Sequence, residues 1–102
     1  MKIVNREIFL QMPIGTVYQK YKPCVIESHL SIKGESIEND WFYQPLNSVD
    51  ATNDPFDEPN ELDLSSQFRD GYFDEDQLFV IWSADEVDML IARLNLAQTG
   101  KE

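Results

Sequence analysis

The sequence predicts an α+β domain: a small, mainly antiparallel sheet carrying a short N-terminal helix and a C-terminal helix. Three observations point there. Strand-like runs rich in β-branched and aromatic residues recur at Thr16–Tyr21, Val25–Lys33, Trp41–Gln44 and Leu78–Trp82. The connection between the second and third runs is too short for a parallel crossover. A capping sequence then opens a helical segment near the C-terminus. The order is approximately αββββα, and an SH3-like, partly open barrel is an alternative arrangement of the same strands. A chain of 102 residues suffices for one core, so 1–102 reads as a single domain.

Asn5 can cap a short helix containing Ile8, Phe9 and Met12, with Val4 placed to staple onto Phe9, before Pro13 turns the chain out of helix. Gly15 releases the first strand, in which Val17, Gln19 and Tyr21 share a face, and Lys22-Pro23 ends or bends it. In the second strand Leu30 and Ile32 fall on one face and Ser31 and Lys33 on the other, with Gly34 supplying the turn into the aromatic strand Trp41–Gln44. Residues 45–64 carry prolines, asparagines and six carboxylates and read as a long acidic loop. Arg69-Asp70-Gly71 marks a turn, and the apolar run Leu78–Trp82 suits a central strand buried on both faces. Ser83 and Glu86 form a capping box, and Val87, Leu90, Ile91 and Leu94 make one apolar stripe that should pack on the sheet.

Charge is unevenly distributed. From Glu35 to Asp88 there are sixteen acids and one base, Arg69, whereas Met1 to Gly34 holds five bases and two acids; the net charge is −11. A single-sign field of this kind repels nucleic acid and attracts basic partners. The 42% hydrophobic content argues against wholesale disorder. Cys24 is the only cysteine, which excludes an intramolecular disulfide and suits a reducing cytoplasm. The opening residues do not read as a signal peptide, and no apolar run reaches membrane-spanning length.

Enzymatic chemistry finds little support. Cys24 and His29 could form a nucleophile pair, but no elbow, oxyanion-forming glycine motif or orienting partner accompanies them; a small packed thiol and one satisfied or exposed histidine is the simpler account. Asp54, Asp57, Glu58, Glu61 and Asp63 offer oxygen ligands without the spacing of a calcium loop, so no metal is expected. The four glycines are isolated and form no phosphate-binding loop, and no cofactor is implied. Trp41-Phe42-Tyr43 could stack on bases, yet the acidic field opposes it and core packing explains these rings better.

Met12–Tyr18, Ile32-Lys33-Gly34-Glu35 and Arg69–Phe79 together resemble segments of small, uncharacterised proteins of tailed phages and prophages. The resemblance implies an intracellular phage–host setting and an accessory or counter-defence role. With the acidic field, the expectation is a non-enzymatic inhibitor that binds the basic surface of a nucleic-acid-handling host protein. A restriction or CRISPR component would be such a target, blocked as by a DNA mimic. Asp54, Asp57, Glu58, Asp74, Glu75 and Asp76 would make the contact, Asp74 and Asp76 forming an extended row at roughly phosphate-like spacing, about 6.5–7 Å. The expected protein is cytoplasmic, contacts neither nucleic acid nor membrane directly, and is a monomer or small homo-oligomer. The alternative is a phage structural or assembly module that self-associates through an apolar surface.

Overall fold

A computed structural model describes residues 1–26, 29–47, 68–71 and 73–99. Strand β1 (Lys2–Asn5) leads directly into α1 (Arg6–Leu10), followed by β2 (Val17–Lys22), β3 (Val25–Ile26), β4 (Ser31–Ile37), β5 (Asp40–Pro45), β6 (Phe68–Arg69), β7 (Leu78–Ile81) and α2 (Ala84–Thr99). The strands form one open antiparallel sheet in the order β1-β7-β2-β4-β5-β6, with β3 pairing β2 off this path. The fold is α+β with an open, mainly antiparallel sheet as the sequence predicts, and among the described residues β1 and β6 end the sheet without pairing to each other.

The N-terminal helix begins where expected. The Ile8 amide donates to Asn5 Oδ1 at 2.9 Å, and Val4 and Phe9 enter the same core cluster on either side of the cap. The preceding strand is a finding that the sequence did not announce: Lys2–Asn5 has too little alternation to be distinguished from a lead-in, and it becomes a strand only by pairing with β7. β7 lies between β1 and β2, with Phe79, Val80 and Ile81 all buried, as its unbroken apolar composition predicts.

Phe9 lies at the centre of the core. Its ring stacks on Phe79 at 4.0 Å between centroids, meets Trp41 edge-on at 5.0 Å and packs against Tyr18 at 4.6 Å. Trp41 Nε1 donates to the Tyr18 hydroxyl at 2.9 Å, so the polar tips of these buried rings satisfy each other. Burial pushes the Tyr18 hydroxyl pKa upward, which keeps the phenol protonated.

Two alternation patterns resolve differently from what residue type suggests. In β2 the residue in the core is Tyr18, of opposite parity to Val17, Gln19 and Tyr21. In β4 the buried pair is Ser31 and Lys33, while Leu30 and Ile32 are only half-buried. The face beneath α1 is shared with Tyr18 and Trp41, and Lys33 lays its stem there. Its ammonium lies 5.8 Å from the centroid of Phe9, donates to the Gly34 carbonyl at 3.1 Å and to Ser36 Oγ at 2.8 Å, and desolvation lowers its pKa. Ser36 in turn donates to the Leu10 carbonyl at 2.7 Å, tying the sheet to the end of α1.

Gly34 does not make the β4–β5 turn. It lies within β4 at a register shift between Lys33 and Ser36, and the turn falls at Glu38, whose φ is +54°. The tight turn at Pro23-Cys24 joins β2 to β3, with Cys24 at φ +71°. The acidic loop predicted at 45–64 lies, from residue 48 onward, outside the described residues.

The Ser83–Glu86 capping box is reciprocal: Ser83 N–H donates to Glu86 Oε1 at 2.9 Å and Glu86 N–H to Ser83 Oγ at 3.2 Å. The stripe it introduces packs for only part of its length. Val87 and Leu90 are half-buried, but Ile91 and Leu94 are exposed. Phe9→Ala is expected to destabilise the domain by about 3–5 kcal/mol in denaturant titration, since it empties the centre of the aromatic cluster. Ile14→Ala, at an exposed position, should cost less than about 0.5 kcal/mol.

Candidate functional site

α1, the β4–β5 turn and the segment entering β7 enclose a cleft of about 640 Å³, lined by Asn5, Arg6, Glu7, Leu10, Gln11, Glu38, Asn39, Phe73 and Glu75. Each element delivers its side chains for a local reason. The Asn5 cap sets the first turn of α1, which carries Arg6 and Glu7. The positive φ of Glu38 reverses the hairpin and presents Glu38 and Asn39. An Asx turn, in which Asp76 N–H donates to Asp74 Oδ1 at 3.0 Å and Gln77 N–H to the Asp74 carbonyl at 3.2 Å, positions Glu75.

Arg6 forms the floor. It is buried, its guanidinium donates to the Asn39 carbonyl, and it lies 4.9 Å from the Trp41 ring centroid and 5.8 Å from that of Phe73. The exposed carboxylates Glu7, Glu38 and Glu75 line the cleft around it, and Phe73 is 59% exposed. The arrangement offers anionic hydrogen-bond acceptors beside an aromatic ring, which suits a cationic side chain of a partner.

The acidic run divides into two populations. Asp40 is fully buried: its carboxylate accepts from Arg69 Nε at 2.5 Å, from Trp41 N–H at 2.9 Å and from Gly71 N–H at 3.1 Å. Burial raises the Asp40 pKa, but the Arg69 hydrogen bond, the two amide donors and the Arg69 charge outweigh it and hold the carboxyl below its ordinary range. Asp70, also buried at its side chain, pairs with Lys20 at 2.8 Å. These two acids fasten the 68–71 segment to β5 and β2 and do not contribute to an external field.

Of the six predicted contact residues, Asp74, Glu75 and Asp76 are exposed in one turn. Asp54, Asp57 and Glu58 lie outside the described residues. The extended phosphate-like row expected of Asp74 and Asp76 is not formed, because Asp74 folds its carboxylate back onto the Asp76 amide. Glu75 alone of the three lines the cleft. Sequence reasoning missed Arg6, Glu7, Glu38 and Phe73, which come from distant segments. One signal was available for Arg6: a base in the first turn of a helix opposes the dipole and calls for a tertiary explanation.

Cys24 and His29 are both exposed, and the Cys24 N–H donates to the Tyr21 hydroxyl at 3.0 Å. Among the described residues no three His, Cys, Asp or Glu side chains gather to hold a metal ion, and no helix is long and apolar enough to cross a membrane. No family model matches the chain, and no curated protein or solved structure matches it either.

Asp40→Asn should destabilise the domain by about 2 kcal/mol at neutral pH, since it removes the charge that Arg69 and two amides serve. Because the folded carboxyl has a depressed pKa, its stabilisation is fully present above the ordinary Asp range and is lost as pH falls through the folded value. Urea titrations of the two proteins should therefore converge in acid; a gap that persists undiminished below the folded pKa would contradict this role.

Proposed function

We propose that this chain is a non-enzymatic binding protein that docks its acidic cleft on the basic surface of a nucleic-acid-handling protein and obstructs access to it. The observation that carries the proposal is the convergence of Glu7, Glu38 and Glu75, from three separate elements, around the exposed ring of Phe73. The neighbouring carboxylates of Asp74 and Asp76 extend the same negative field. Recognition here runs through a compact cleft that accepts a lysine or arginine, with the surrounding acid steering the approach. The phage-like sequence segments favour a host defence enzyme as the target.

The test is affinity capture on the immobilised protein from bacterial lysate, followed by elution with duplex DNA and then by purified-partner titration. Binding should weaken as salt rises, DNA should compete, and Glu7→Gln, Glu38→Gln and Glu75→Gln should each reduce affinity about two- to fivefold. Affinity and salt dependence unchanged in the triple variant would refute the proposal.

A further inference from the structure

Among the described residues, the body covers only the first half of α2. Val87 and Leu90 are half-buried, yet every residue from Ile91 to Gln98 is exposed, Ile91 at 51% and Leu94 at 59%. Helices in water owe most of their stability to packing an apolar face, and segments below about 12–15 residues are marginal alone. The spacing of Val87, Leu90, Ile91 and Leu94 keeps them on one face, so the stripe runs on past the point where its own body covers it. Beside the proximal half of α2 lies an apolar groove of about 530 Å³, lined in part by Met12, Pro13, Ile14, Val17, Trp82 and Val87.

The charges of α2 select the occupant. Its proximal half carries Asp85, Glu86 and Asp88 and no base; its distal half carries Arg93 as the one charged side chain. A second copy laid antiparallel places Arg93 along the acidic half of the first, and the first returns the same contact. A parallel arrangement would set acid against acid and align the two helix dipoles. We propose that the chain forms a two-fold symmetric dimer in which the two α2 helices pair antiparallel, each seating Ile91 and Leu94 in the groove beside Val87 of the other copy. The contact is isologous, so it closes on itself at two copies.

The dimer is independent of the proposed function and leaves the acidic cleft open. The β1–β7 pair runs from Lys2 opposite Ile81, beside the groove, to Asn5 opposite Leu78, beside the cleft, so the two features lie at opposite ends of the same strands.

Sedimentation equilibrium on the full chain should give twice the 11.9 kDa monomer mass. The double variant I91D/L94D should weaken association at least about tenfold while keeping its tryptophan fluorescence and melting temperature, since both side chains are exposed in a single copy. Arg93→Glu should weaken it about threefold, because Arg93 lies on the same flank of α2 as Glu86 and so faces the acidic half of the other copy. A protein that stays monomeric at millimolar concentration would overturn the proposal, as would a dimer indifferent to I91D/L94D.

Discussion

The stacking of Phe9 on Phe79 is the contact on which the remaining architecture depends. α1 is only five residues long and has no independent stability, so it exists because Phe9 is held between Phe79, Trp41 and Tyr18. Those three partners come from β7, β5 and β2, and one ring thus links strands that are distant in sequence. Placing Phe9 also places Arg6 over Trp41 and sets Glu7 at the mouth of the cleft. Core and candidate site are therefore two consequences of one docking event.

Polar groups inside this core follow the aromatic framework. Lys33 reaches along the face of Phe9 to Ser36, and Ser36 reaches on to the last turn of α1, so a chain of hydrogen bonds accompanies the apolar contact. Asp40 performs the corresponding task at the far end of the sheet, gathering Trp41, Arg69 and Gly71 around one carboxylate. Each buried charge among the described residues is met by donors or acceptors, which is the condition under which burying it is tolerated.

Net charge alone was a poor guide to the surface. Asp40 and Asp70 belong to the acidic run but serve as internal fasteners, whereas Glu7, outside that run, joins Glu38 and Glu75 at the cleft. A strongly acidic composition thus combines two physically distinct uses of carboxylates: low-dielectric pairing that fixes a segment, and solvent-facing charge that shapes a field. The exposed half of α2 adds a third surface, apolar and at the other end of β1.

Short-range chemistry was legible in the sequence. The Asn5 cap, the Ser83–Glu86 box, the aromatic hairpin and the interior, though not central, position of β7 follow from contacts within a few residues or from an unbroken apolar run, and such signals do not depend on the rest of the chain. Tertiary structure decided what involves a partner far away. It made a strand of Lys2–Asn5, kept Gly34 inside β4, turned Lys33 inward, and joined Arg6, Glu38 and Phe73 in one cleft. Residue type states what a side chain can do; which face is covered, and which distant group arrives beside it, is settled only when α1 closes over the sheet.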